Sequence, residues 1–262
     1  MFGGGCSLLA CPVERNSPDP KPVLANSDAN RRKQLLDLCR LFLAESLCLM
    51  PHHWIIERMV TQHSLAQAFN WRSVDVRFRE GEIEVARQNI IDDATATEER
   101  EHLWQHEQEL FGHLGRRRDR FQHLFVSGTQ RPSSYAEFIS VLREPGGAFW
   151  AFGAGMYERV ARTSPDERAM RDFVAACPPF HAAMLGVFVA HYDRCIRDLR
   201  TGPSLRAGRY DLFMSVYLPY GTRFISNDEK QLRAFREIAD VGGFWVDVRS
   251  YREWRREFDL VA

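Results

Sequence analysis

The chain has 262 residues, of which 45% are hydrophobic, and this length suits one large domain or a compact domain with a big insertion. Its charged residues balance to a formal net charge of zero, which excludes the overall basicity of a non-specific nucleic-acid binder but allows a local basic strip. No apolar run approaches the roughly 18 residues that span a membrane, so we expect a cytoplasmic protein without membrane contact.

The cysteines support the same compartment. Six are present and none forms a C-x-x-C pair, so the spacing typical of zinc ligands is absent. Cys39 and Cys48 fall in apolar patterns and are interpreted as buried small hydrophobic residues of a reducing compartment.

The first sixty residues predict alternating strands and helices. Short apolar runs at 7–11 and 23–25 are candidate strands. A helix over 29–45 follows from apolar residues spaced by three and four. A buried strand at 47–50 and a helix over 52–62 come next. This order of strand, helix, strand and helix predicts parallel pairing of the strands.

The middle of the chain predicts helices. Residues 64–82 form a connection of uncertain structure, and residues 83–126 show a long helical stripe. Further helices are predicted near 133–143, 147–162 and 180–199, with another that starts at Ser164-Pro165. We therefore expect a predominantly helical insertion over 64–200 within a single domain of residues 1–262. The buried stripe consists of Leu103, Leu110, Leu114, Phe121 and Phe125.

The α/β pattern resumes after residue 200. A helix over 211–218 is predicted to stop at Pro219, and a strand covers 223–226. A helix over 229–239 has Leu232, Phe235 and Ile238 on its inner side. Gly242-Gly243 ends that helix, a strand covers 244–248, and a last helix covers 251–258.

Two carboxylates occupy positions where metal ligands gather in α/β proteins. Asp211 lies in the first turn of a predicted helix, and Asp228 follows directly after a predicted strand. In a parallel sheet the strand ends and the starts of the following helices share one edge. Two acids there could share Mg²⁺ or Mn²⁺, which prefer oxygen ligands.

These residues resemble the C-terminal part of PIN-like domains, a family of metal-dependent ribonucleases. Ser226-Asn227-Asp228 matches the family's strand ending, Asp211 its helix-starting acid, and Glu57 the acid on the helix after the second strand. The resemblance covers residues 200–255 well and 29–62 loosely. It implies a three-layer α/β fold with a short parallel sheet, to which this chain adds a large helical insertion.

The resemblance also implies an activity and roles for residues. It implies an endoribonuclease that hydrolyses RNA phosphodiesters with Mg²⁺ or Mn²⁺, and a toxin-like protein with an antitoxin as partner is one form of it. The implied metal ligands and catalytic residues are Glu57, Asp211 and Asp228; the implied substrate contacts are Asn227, Arg209 and Arg223.

One departure from the family pattern favours a different function. The family opens with a strand that ends in a metal-binding Asp, whereas this chain has Ala10 in that place, with Asp28 as a substitute candidate. Asp28 is more readily interpreted as a helix N-cap, a position that Asp prefers. The alternative to an enzyme is therefore a degenerate PIN-like protein that binds RNA or a protein without cleaving RNA.

The candidate acids also have purely structural interpretations. Asp211 suits the positive end of a helix dipole, Asp228 suits a helix N-cap, and Glu57 suits a solvent-facing position. Three histidines share one predicted helix face but lie among charged residues, so we expect an exposed polar stripe instead of a metal site. They are His102, His106 and His113.

Overall fold

A computed structural model describes two compact units of the chain. The larger unit comprises Met1–Cys6, Ile55–Trp71 and Gly112–Ala262, and the smaller comprises Ser7–Trp54 and Arg72–Phe111. The described part is mostly helical, with a short parallel sheet of two strands. The residues that the structure describes are 13–14, 17–18, 30, 34, 47–49, 52–68, 70–72, 75–77, 101, 132–197 and 212–259.

The smaller unit contains two antiparallel pairs of strands. Strand β1 (Val13–Glu14) pairs with β2 (Ser17–Pro18), and β3 (Leu47–Leu49) pairs with β4 (Asp75–Arg77). The strand predicted at 47–50 is confirmed, and it pairs antiparallel with β4. The candidate strands at 7–11 and 23–25, with which parallel pairing was predicted, lie outside the described residues. The partner strand β4 lies within residues 64–82, where the sequence did not indicate a strand. Strand β4 runs in the opposite direction to β3.

Helix α1 (His52–Ser64) begins after Pro51, as predicted. Its residues from Ile55 onward belong to the larger unit. Ile55, Met59 and Val60 are buried at the spacing of one helix face. The thiol of Cys177 donates to the sulfur of Met59 at 3.0 Å, which anchors this face in the core of the larger unit.

Four predicted helices of the larger unit are present. Two of them begin at side-chain caps: Ser134 accepts the N–H of Glu137, and Asp166 accepts the N–H of Ala169. These caps satisfy backbone donors that a helix start leaves without partners. The four are α2 (Tyr135–Leu142), α3 (Ala148–Ala161), α4 (Glu167–Ala176) and α5 (Pro178–Tyr192).

Helix α5 is the central element of this core. It is apolar all round and nearly all its residues are buried, as expected of a helix surrounded by others. The buried hydroxyl of Tyr135 donates to the carbonyl of Leu185 at 2.6 Å. A π-helical turn, Asp193–Arg197, continues α5. No single helix within the described ranges is long and apolar enough to cross a membrane; only α4 and α5, bent by 108°, pass as a pair.

A 3-10 helix, Met214–Tyr220, packs directly against α5. Ser215 Oγ donates to the carbonyl of Ala182 at 2.9 Å. Gly186 permits this approach, since a Cβ there would lie 2.8 Å from the carbonyl oxygen of Leu212 and 2.7 Å from Ser215 Oγ. The predicted helix end at Pro219 is wrong, because the proline lies inside this tighter helix.

The C-terminal segment forms two parallel strands, each followed by a helix. The order is β5 (Arg223–Ser226), α6 (Glu229–Gly242), β6 (Asp247–Ser250) and α7 (Tyr251–Asp259). Strand β6 begins three residues later than predicted. The end of α6 uses the intervening residues: Gly243 has φ 65°, and the N–H of Phe244 donates to the carbonyl of Ala239 at 2.9 Å.

Helix α6 covers one face of this sheet. Phe224 and Val248 point to that face and are buried, and the ring centroids of Phe224 and Phe235 are 4.6 Å apart. Leu232, Phe235 and Ile238 are buried, so the predicted inner side of α6 is confirmed. The opposite face carries charged side chains, which reach Glu257 of α7. The sheet therefore has a helix on one face and ion pairs to a second helix on the other.

Candidate functional site

The candidate site begins where β5 ends. Asp228 is the N-cap of α6, and its Oδ1 accepts the N–H groups of Lys230 at 2.8 Å and Gln231 at 3.1 Å. Asn227, between the strand and the cap, is exposed. The structural role that the sequence allowed for Asp228 is thus present, and both of these hydrogen bonds use one carboxylate oxygen.

A buried polar pair fixes the turn that carries Asp228. Ser226 Oγ donates to Gln231 Oε1 at 2.8 Å and accepts the N–H of Asp228 at 3.1 Å. Ser226 and Gln231 are almost fully buried. The buried pair thus fixes the backbone at Asp228, and the N–H groups of Lys230 and Gln231 orient its carboxylate. The carboxylate is therefore preorganised, which a binding or catalytic position requires.

The end of β6 has a matching arrangement. The N–H of Ser250 donates to Glu253 Oε2 at 2.7 Å, and the N–H of Glu253 donates to Ser250 Oγ at 3.1 Å. Arg236 also donates to this carboxylate at 3.0 Å. The hydrogen bonds from Ser250 and the charge of Arg236 lower the pKa of Glu253 below its usual value. Glu253 is therefore an ionised cap of α7.

The two strand ends lie side by side. Ser226 pairs with Ser250 in the parallel register, so α6 and α7 start at the same edge of the sheet. Neighbouring strands are separated by about 4.8 Å. We call this edge, with Asn227, Asp228, Tyr251 and Arg252, the carboxyl edge. It is the part of an α/β sheet where ligands bind.

The described residues include only part of the predicted acidic set. Glu57 is exposed on α1, and Asp228 lies at the carboxyl edge. Asp211, Arg209 and Asp28 lie outside the described residues, so convergence of the acids stays a prediction. Within the described ranges, no three side chains of His, Cys, Asp or Glu form a group that could hold a metal ion.

The predicted features of the long helical stripe also lie outside the described residues. Only Glu101, which is helical and exposed, is described between 78 and 131. The burial of the apolar stripe and the exposure of the three histidines therefore stay predictions.

Arg223, a predicted phosphate contact, lies at the amino end of β5. Its guanidinium is 3.6 Å from both Asp247 and Glu257. Arg249 contacts the same two acids, with 2.6 Å to Asp247. Two arginines and two carboxylates thus form a neutral cluster, about 10 Å from the carboxyl edge at the rise of a strand.

The sequence interpretation missed a second charged cluster. Asp193, which is 3% exposed, accepts from Arg197 at 2.7 Å and from Arg233 at 2.8 Å, and Arg197 also donates to Glu237. The pairs Asp193/Arg197 and Arg233/Glu237 both have i, i+4 spacing, which was a usable signal.

A cleft of about 400 Å³ lies beside this cluster, between the start of α2, the end of α5 and α6. None of the predicted site residues lines it. Its lining residues are Ser133, Ser134, Tyr135, Ala136, Tyr192, Ile196, Arg197, Glu237, Asp240 and Val241.

His181 of α5 is a partly buried residue whose pKa is strongly shifted. Its Nε2 contacts the guanidinium of Arg143, and its ring lies against Phe149 and Phe244. Burial, with the charge of Arg143 adding to it, lowers the pKa of His181 to about 3. His181 is therefore neutral at physiological pH and accepts a hydrogen bond from Arg143.

Comparison with protein-family models, curated proteins and solved structures found no match for this chain. The chemistry and placement of the residues described above therefore carry the proposed function.

Proposed function

We propose that this protein is a cytoplasmic, metal-dependent endoribonuclease with a PIN-like, three-layer α/β arrangement. The observation that supports it best is the position of Asp228. This carboxylate follows the carboxyl end of a parallel strand, in the turn Ser226-Asn227-Asp228, and two backbone N–H groups orient it. The RNA substrate and an antitoxin-like protein partner belong to the same proposal.

In this proposal Glu57, Asp211 and Asp228 hold Mg²⁺ or Mn²⁺. Both capping hydrogen bonds of Asp228 use Oδ1, so Oδ2 takes no part in the cap. Carboxylate oxygens suit these ions, and the donor chemistry of Asp228 therefore fits. A bound ion would supply an activated water and offset phosphate charge. The exposed Asn227 is a proposed hydrogen-bond partner of the RNA, and Arg209 and Arg223 are proposed phosphate contacts.

A second candidate is a non-catalytic PIN-like protein that binds RNA or a protein. The specific observation in its favour is that Asp228 already has a structural function as the cap of α6. The replacement of the family's first Asp by Ala10 also favours the non-catalytic protein. In this case the carboxyl edge would bind a ligand without a metal.

The substitution Asp228→Asn separates the two candidates. Asn caps a helix about as well as Asp, so the fold should keep its stability. For an enzyme, cleavage of single-stranded RNA should be lost, and added Mg²⁺ or Mn²⁺ should raise the melting temperature of the wild type more than that of the variant. Glu229→Gln is the matched control, since it removes the adjacent, exposed carboxylate from the same helix start.

The readouts are an RNA-cleavage assay and thermal unfolding with and without metal. Equal cleavage and equal metal responses in wild type and Asp228→Asn would reject Asp228 as a ligand. The absence of both cleavage and metal response in the wild type would favour the non-catalytic protein.

A further inference from the structure

The outer side of α7 is a basic surface. Tyr251, Arg252 and Arg256 are exposed, and we call them the arginine face. Arg252 and Arg256 are one helical turn apart and therefore lie on the same side. They place two positive charges side by side on a chain that has no net charge.

Two acids of α7 are paired with groups outside this face. Glu253 is engaged by Ser250 and Arg236, and Glu257 by Arg223 and Arg249. Like charges at i, i+4 slightly destabilise a helix, so the pair Arg252 and Arg256 is not explained by the folding of α7. An anionic partner is the chemistry that this surface fits.

Aromatic rings lie beside the arginines. Tyr251 is 45% exposed, and its ring centroid is 5.5 Å from that of Trp254. Exposed rings next to arginines are typical of surfaces that bind single-stranded nucleic acid, because bases stack on the rings while cations contact the phosphates. A duplex has no unstacked bases for such a contact.

The arginine face also adjoins the candidate site. Tyr251 and Arg252 follow Ser250 directly, and Ser250 pairs with Ser226, two residues before Asp228. A strand bound along the first turn of α7 would therefore pass close to Asn227 and Asp228. This placement connects the basic surface with the proposed chemistry.

We propose that the arginine face binds the backbone of single-stranded RNA, with Tyr251 stacking on a base, and leads the strand across the carboxyl edge. This inference rests on the proposed function for the identity of the strand. The binding step itself requires Arg252, Arg256 and Tyr251 but no metal.

The test measures the affinity of the full chain for a fluorescent single-stranded RNA in EDTA. Fluorescence anisotropy gives this affinity over a range of salt concentrations. The double variant Arg252→Ala/Arg256→Ala should weaken binding on the order of tenfold at 0.1 M salt and lower the salt slope by about 1.4, since each lost phosphate contact in a single strand changes it by about 0.7. The control Arg159→Ala/Arg168→Ala removes two exposed helix arginines and should change neither value.

Tyr251→Ala should weaken binding of the single strand fivefold or more and leave the weaker binding of a duplex of the same sequence unchanged. Thermal unfolding checks that each variant remains folded. Equal affinities of the wild type and the Arg252/Arg256 variant would overturn the inference, and so would equal losses in this variant and its control. Tighter binding to anionic vesicles or to single-stranded DNA than to RNA would also overturn it.

The outcome is independent of cleavage. Binding in EDTA that depends on the arginine face, together with no cleavage in Mg²⁺ or Mn²⁺, would support this inference while rejecting the nuclease. Cleavage that depends on Asp228 but not on the arginine face would support the nuclease and reject this inference.

Discussion

Helices α5 and α7 belong to the same unit but are stabilised by different interactions. Helix α5 is buried on nearly all sides and has few charges, whereas α7 is largely exposed and its acids form caps and ion pairs. Burial of large apolar side chains contributes far more free energy than exposed ion pairs do. The comparison indicates that stability resides in the helices of 132–197 and that the surface of α7 is available for recognition.

The largest effect should come from Phe180→Ala in α5. Phe180 is fully buried, with its ring centroid 5.0 Å from that of Phe173. Removing it should lower the free energy of unfolding by about 3–5 kcal/mol, because a cavity remains. Val141→Ala, at a 41% exposed position on α2, is the control and should change it by about 0.5 kcal/mol or less. Urea unfolding of both variants measures the difference, and similar losses would contradict the comparison.

An intermediate effect on the free energy of unfolding, which depends on pH, is expected at His181. Its pKa of about 3 in the folded protein lies below the ordinary value of 6.5, so the unfolded chain binds a proton that the folded protein does not. The resulting stability is present above pH 6.5 and is lost as the pH falls. Below pH 6.5 the loss per pH unit should rise toward about 1.4 kcal/mol, the slope of the linkage relation for one proton, and the total loss between pH 6.5 and 4.5 should be about 2.3 kcal/mol.

His181→Gln keeps an acceptor near Arg143 but cannot titrate. Its free energy of unfolding should therefore depend less on pH than that of the wild type over the same range. Chemical denaturation at several pH values measures both curves. Parallel curves would show that His181 does not contribute to the pH dependence.

The smallest effect on the free energy of unfolding is expected at the carboxyl edge. Asp228→Ala removes a cap with two hydrogen bonds and should cost about 1 kcal/mol, whereas Asp228→Asn should cost at most a few tenths. Thermal unfolding without metal measures both. A cost of 3 kcal/mol or more for Asp228→Ala would show that this edge belongs to the stabilising core and would erase the contrast with α5.

The sequence predicted elements well where a single periodicity and a local stop signal coincide. Strand β5 was predicted with its observed bounds, and α6 with its buried side, because the run Arg223–Ser226 is followed by a capping Asp and a 3.6-residue pattern. Helix α1 was predicted equally well. Local patterns of this kind need no knowledge of distant contacts.

Properties that depend on distant partners were not predicted. The antiparallel pairing of β3 depends on β4, a three-residue strand with little pattern of its own. The 3-10 form of 214–220 depends on its contact with α5. For the site, the capping role of Asp228 was foreseen as an alternative. The arginine face was not, because it can be identified only once the ion-pair partners of Glu253 and Glu257 are known.

The glycine at position 186 sets how closely two elements of the core can approach. A single added carbon there would meet the carbonyl oxygen of Leu212 at 2.8 Å. The 3-10 segment would have to move away from α5 to make room, and the backbone of Leu212 would move with it. A methyl group at 186 would therefore separate the two elements from the inside.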